Sequence, residues 1–190
     1  YANGQDTVAI GRNNYATGDY CVALGNYANC TGSASVSLGN QNKVSGQNGF
    51  GVGNKNTVSG NTAVALGDSN LASNSNTFAS GFECLATGFT SSCIGYQSAS
   101  SGDYSNVFGY KNNVTGIYST SFGTNNKVLG GNSVAFGNNV TISAGSSNVV
   151  AIGSDYTFTK SNMLSVKGMI DVIGNINNSG NITSYGSSHI

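Results

Sequence analysis

The sequence predicts an all-β chain, a parallel β-roll or solenoid wound in fourteen-residue coils. Three observations carry that prediction. Ten glycines, Gly11, Gly25, Gly39, Gly53, Gly67, Gly81, Gly95, Gly109, Gly123 and Gly137, recur every fourteen residues without a slip. A second series, Gly4, Gly18, Gly32, Gly46, Gly60, Gly88, Gly102, Gly116 and Gly130, lies half a period out of step. The three residues before each main glycine read large, small, large, the period-two signature of a strand. A unit cut in half by two turn glycines is strand, turn, strand, turn, which is one coil of a solenoid.

Each element of the coil can be justified in order, counting the main glycine as position 0. Position −3 holds Val8, Val22, Val36, Phe50, Val64, Phe78, Ser92, Asn106, Thr120 and Val134, and position −1 holds Ile10, Leu24, Leu38, Val52, Leu66, Ser80, Ile94, Phe108, Phe122 and Phe136. Between them, position −2 is small, as in Ala9, Ala23, Ser37, Ala65, Cys93 and Ala135. This first strand therefore has one bulky and one small face. After the turn, position +3 is Asn in Asn14, Asn42, Asn56, Asn70, Asn112 and Asn126, a partial ladder whose amides can hydrogen-bond from rung to rung. Position +5, from Ala16 and Cys30 to Val128 and Ile142, supplies the inward anchor of a second, weaker strand. At position +7 Asn74 replaces glycine once, and the expectation is a left-handed turn residue, which Asn tolerates best after Gly.

Stacked coils place like on like at about 4.8 Å per rung, so ten rungs make a rod of roughly 45–50 Å. Both faces of the first strand carry apolar groups, and periodicity alone leaves open which one lines the interior. If the small face does, the Val/Ile/Phe face is exposed along the whole rod, and a patch of that size implies a partner. Self-association about the rod axis covers it, and the expectation is an obligate homotrimer.

Composition excludes several classes of function. Charged residues make up 7% of the chain against an ordinary quarter, net charge is zero, and Pro and Trp are absent. The seven Lys and Arg stand singly and form no basic stripe, which argues against nucleic-acid binding. No apolar run reaches the length of a membrane span, so no membrane insertion is expected. Cys21, Cys30, Cys84 and Cys93 fall at four different positions of the coil and read as small buried filler, with unpaired thiols that suit assembly in a reducing cytoplasm. No catalytic, cofactor-binding or metal site is expected. The carboxylates Asp6, Asp19, Asp68, Glu83, Asp103, Asp155 and Asp171 are dispersed, lack the spacing of a calcium-binding roll, and read as turn or surface residues.

Tyrosines in the variable turns are better candidates for binding. Tyr96, Tyr104 and Tyr110 are the candidate receptor contacts, since Tyr beside Asn and Ser suits a carbohydrate or protein surface. The alternative is that such rings stack on neighbouring rungs and stiffen the rod. A flat Thr row for ice or crystal binding is poorly met, because the row Thr7, Cys21, Ser35, Gly49, Ala63, Thr77, Ser91 is mixed.

The segments Thr7–Gly11, Cys21–Gly25, Ala63–Gly67 and Ser133–Gly137, reading TVAIG, CVALG, AVALG and SVAFG, resemble the SVAIG repeat of YadA-like heads. Those heads belong to trimeric autotransporter adhesins, and the module also occurs in fibres of some bacterial viruses. The resemblance covers about residues 4–153 and implies a left-handed parallel β-roll, three chains wide, without enzymatic activity. Ser80, Ser92 and Asn106 depart from it at normally bulky positions. After Gly137 the spacing stretches to sixteen, reaching Gly153, and the repeat is expected to end there. Two domains follow: a roll of about ten coils over residues 1–153, and a β-rich neck, stalk or cap over residues 154–190. The stretch from Met163 to Thr183, with turn signals at Gly168, Gly174 and Gly180, resembles a short stalk of phage tail fibres, which commonly precedes a self-cleaving chaperone. The resulting expectation is a trimeric fibre segment of a bacteriophage tail, assembled in the host cytoplasm and carried on the virion. Its partners would be other tail or fibre proteins and a host cell-surface glycan or protein receptor. The alternative is the head of a bacterial trimeric autotransporter adhesin on the outer surface of the cell.

Overall fold

The computed structural model describes residues 1–167, and in them every regular element is a strand. Five-residue strands precede and cross each main glycine: Val8–Arg12, Val22–Asn26, Val36–Asn40, Phe50–Asn54, Val64–Asp68, Phe78–Phe82, Ser92–Tyr96, Asn106–Tyr110 and Thr120–Thr124. Two-residue strands, from Tyr15–Ala16 to Lys127–Val128, follow each turn. Long strands pair only with long, short with short, always in parallel and always fourteen residues on: Val8 faces Val22, Gly11 faces Gly25, Ala16 faces Cys30. The fourteen-residue parallel solenoid read from the glycines is the observed architecture.

The irregular end follows the same rule with one adjustment. In the tenth coil the two strands run together as Val134–Ile142, and they pair with Val149–Phe158 sixteen residues on. The extra Ala144 and Gly145 are absorbed in the second turn, so that Ser146 stacks on Gly130 as a turn glycine otherwise would. Fourteen-residue spacing then returns, with Met163–Val166 pairing onto Val149–Ile152 and Lys167 standing over Gly153. Stacking thus runs beyond Gly153, where the sequence reading places the change from roll to stalk. Residues 168–190, with the rest of that expected stalk and its turn signals at Gly168, Gly174 and Gly180, lie outside the described residues.

The interior is narrow and lined by the small face. Positions −2 and +5 are fully buried in nearly every coil, as Ala23, Ala65, Cys93 and Val107 on one side and Cys30, Val44, Val58 and Ile142 on the other. The bulky residues at −3 and −1 point outward. This settles the inside-outside question, and the reason is volume: a coil of fourteen residues has room for Ala or Val across its width but not for a facing pair of Phe.

Asparagine closes the main turn. Asn56 Nδ2 donates to Val52 O in its own coil at 2.9 Å and to Gly67 O in the next at 2.8 Å, while Asn56 Oδ1 accepts from the Asn70 backbone N–H at 3.0 Å. Asn14, Asn42, Asn70, Asn112 and Asn126 repeat the pattern. Direct amide-to-amide bonds occur from Asn56 to Asn42 and from Asn70 to Asn56. Each buried amide therefore satisfies backbone groups that the turn takes out of the sheet ladder.

The two glycine series have different causes. The main series is conformational as well as steric: Gly81 has φ +126°, a backbone that side chains rarely adopt, and a Cβ there would also run into the carbonyl of Gly95. The second series is steric. Gly60 lacks a positive φ, and a Cβ there would run into the carbonyl of Asn74 in the next coil. The expectation that Asn74 supplies a left-handed turn residue is thus corrected, because the left-handed residue of that turn is Asn76, with φ 57°. The same place is taken by Tyr20, Ala34, Thr62, Thr90, Tyr104 and Tyr118 in other coils, all with φ near +55°.

Asn56→Ala should lower stability by about 2–4 kcal/mol, since it strands several buried backbone groups at once. Asn56→Ser should cost less than half of that. Ser98 fills the same position naturally, donating to Tyr96 O and Gly109 O and accepting from the Asn112 N–H. Thermal unfolding of the two variants followed by circular dichroism checks the order.

Candidate functional site

Two kinds of surface stand out, and the first is an apolar wall. The outward residues at −3 and −1 form two rows down the long strands, half-buried at best, and Ile10 is 64% exposed. In the later coils the wall becomes aromatic. Phe108, Phe122 and Phe136 stack with centroids 4.8 and 4.9 Å apart and planes within 5° of parallel. Beside them runs a shallow groove lined by Asn106, Thr120, Val134 and Val150. Ser80, Ser92, Asn106 and Thr120 interrupt the apolar rows in the sixth to ninth coils. A contiguous apolar face of this kind marks a surface suited to a flat, apolar partner.

The second kind is a set of ladders on the turns. Immediately after the main glycine, Asn26 Nδ2 donates to Asn40 Oδ1 at 2.9 Å and Asn40 Nδ2 to Asn54 Oδ1 at 2.7 Å. Asn54 continues the ladder to Asp68. The same row then turns aromatic: Phe82, Tyr96 and Tyr110 stack at 5.0 and 5.3 Å, and Lys111 Nζ sits 5.0 Å from the Tyr110 ring centre. The second turn carries a separate stack, Tyr104 on Tyr118 at 4.8 Å, with Phe89 edge-on to Tyr104 at 5.6 Å.

Of the three candidate contact residues, the structure thus brings Tyr96 and Tyr110 together and places Tyr104 on a different row. All three are exposed. Parallel stacking turns ring faces towards each other, so these tyrosines offer edges and hydroxyls to a partner. A flat sugar packed on a ring face needs a free face, which such a stack leaves only at its ends. Phe82 and Phe89 were missed as members, although Phe82 shares its position in the coil with Tyr96 and Tyr110; Tyr118 is one of the exposed turn tyrosines that the sequence already offers. The row weighed for crystal binding points inward: Cys21, Ser35, Gly49, Ala63, Thr77 and Ser91 are buried and Thr7 is half-buried.

Among the described residues no three His, Cys, Asp or Glu side chains gather as metal ligands. Carboxylates instead serve the backbone: Asp19 and Asp103 accept from the backbone N–H groups of Gln5 and Phe89 in the preceding coils, at 2.9 and 2.8 Å. Glu83 accepts from Gln97 Nε2 at 2.7 Å.

The family model of the YadA head domain repeat, which holds two copies, matches residues 2–28, 59–83 and 115–139. Over those residues the fourteen-residue coil is similar to the YadA head domain repeat. No curated protein matches the chain.

Where the polar ladder ends, Asp68 is held below the usual carboxylate range by hydrogen bonds from Ser69 and then Asn54, with Lys55 adding a weaker pull. A depressed folded value means that this interaction is complete above the unfolded carboxyl's ordinary pKa and is lost as pH falls through the folded one. An NMR titration of the Asp68 side-chain carbon should find its midpoint below that of an unstructured Asp, and Ser69→Ala should move the midpoint up.

Proposed function

We propose that this chain of YadA-like head repeats is a segment of a homotrimeric attachment fibre, carried on a bacteriophage tail and presenting its turn ladders to a host receptor. The repeat family points to a trimeric adhesin-type fibre module, non-enzymatic in general. The observation that carries the reading is the apolar wall on the outer face of the long strands, which runs the length of the roll with polar breaks in the sixth to ninth coils. Three rods sharing one axis each turn that wall inward and leave the ladders on the turns outside. Stacked Phe108, Phe122 and Phe136 give the wall a regular rise that an identical rod can match rung for rung.

Attachment to a phage tail is supported by the stalk-like sequence after Met163 and by four thiols left unpaired, which suit assembly in a reducing compartment. An outer-surface adhesin is the second reading, and it is favoured by the repeat family itself, which is found in surface adhesins. Receptor contact is assigned to Tyr96, Tyr104 and Tyr110, acting through hydroxyls and ring edges on a cell-surface glycan or protein.

Sedimentation equilibrium should return about three times the 19.2 kDa of one chain. Phe122→Asp places a charge in the wall and should shift the mass towards one chain; a monomer in the unmodified protein sinks the trimer. Tyr96→Ala with Tyr110→Ala should leave the trimer intact and lower binding to host cells about tenfold or more. Tyr104→Ala, tested separately because it lies on another row, should show its own loss. Unchanged cell binding in both would assign the stacks to stiffening the rod.

A further inference from the structure

The four cysteines are fully buried and free, and the coil gathers them into two neighbouring pairs. Inward side chains come from positions −4, −2, +3 and +5. Positions −4 and +5 of one coil adjoin at one corner of the interior, where Cys21 Sγ donates to Cys30 O at 3.3 Å and Ser91 Oγ donates to Ser100 O at 3.2 Å. Cys30 Sγ and Cys21 Sγ both reach Ser35 Oγ, at 2.9 and 3.5 Å, and the two thiols interact side chain to side chain. Position +3 and the following −2 adjoin at the other corner, where Cys84 Sγ donates to Ser80 O at 3.4 Å and Cys93 Sγ to Ser98 O at 3.1 Å, close enough for each thiol to perturb the other. At either corner, a separation of nine residues brings two inward side chains together. Both cysteine pairs have that separation, although they occupy four different positions of the coil. Small filler has no reason to come in neighbouring pairs.

We propose that Cys21–Cys30 and Cys84–Cys93 are two latent disulfide sites, closed by exchange with a low-molecular-weight disulfide such as oxidised glutathione. One protein thiolate attacks a glutathione sulfur, forming a mixed disulfide and releasing one glutathione thiolate. The partner thiolate attacks the protein sulfur of that mixed disulfide, closing the intrachain bond and releasing the second. Each protein pair gives up two electrons and two protons, and one oxidised glutathione becomes two reduced ones. Exchange takes place while a coil is unwound, because in the wound interior burial pushes the Cys30 thiol up to about 12. At the other corner Cys93 is likewise held protonated, by its neighbour Cys84 and by burial, so that thiol too reacts only once its coil unwinds. A closed bond is then shut inside the coil, away from reductants. Neither bridge touches the outer wall or the turn ladders, so a coil can be stapled as it winds without altering either surface.

The test refolds the reduced full chain in mixed reduced and oxidised glutathione, blocks free thiols with iodoacetamide, and maps disulfides in a non-reducing digest. The expected product links Cys21 to Cys30 and Cys84 to Cys93, is lighter by four hydrogens, and melts at least about 5 °C above the reduced chain. Cys30→Ser, a residue this corner already accepts at Ser100, should remove the first bridge alone. Either of the other two connectivities overturns the proposal. So do four free thiols after refolding, or the same pairs in equal yield in denaturant, where chain proximity acts without the fold.

Discussion

Every coil hands its backbone to the next at a fixed offset, residue i on residue i+14, and this register governs the rest of the molecule. The offset is maintained by carbonyls that point along the rod: the space over each turn glycine is filled by the carbonyl of its counterpart one coil on. A side chain at that place forces adjacent coils apart. Because the ladder is parallel and continuous, a local change of spacing would propagate to every later strand. The sixteen-residue coil shows how the register survives an insertion. Ala144 and Gly145 are confined to the second turn, and the strands on either side pair as before.

From that register follows the repetition of like on like. A buried Asn at the main turn finds the same three backbone partners wherever it occurs, so one favourable arrangement is used six times. An aromatic ring stacked on an aromatic ring lies almost parallel to it, because the translation between coils leaves no other geometry. The same translation has a cost. The place two residues after the second turn is left-handed in every coil, and Thr62, Thr90 and Ala34 occupy it without the freedom of glycine. A left-handed side-chain residue costs about 1–2 kcal/mol, and the coil accepts it because both neighbours impose it.

Much of this was legible because a strict period converts sequence position directly into place. Large-small-large gave the two faces, Asn at +3 gave the buried ladder, and sixteen-residue spacing gave the odd coil. What escaped the sequence depended on closure in three dimensions. A glycine present for lack of room looks the same as one present for its φ, so the role of Gly60 and its relatives was misassigned. That nine residues separate contacting side chains follows only from where the corners fall, so the cysteines looked scattered. Stacking past Gly153 was hidden because Lys167 stands where the motif has glycine. The candidate tyrosines were legible as exposed residues, but their division between two rows, and the faces they hide from solvent, required the coil to be closed.

The wall and the ladders divide the surface by physical necessity. Inside the coil, volume limits −2 and +5 to small residues, so the bulky residues of the strand must face outward. Those residues are held at strand spacing and repeat at every rung, and a partner that covers them must repeat at the same rise. An identical rod meets that condition. The turns carry no such demand, because their side chains neither fill the interior nor join the wall. Sequence can change there from Asn to Asp to Phe to Tyr within one row without disturbing the register. The turn surface is therefore free to diversify, while the strands beneath it remain bound to the fourteen-residue beat.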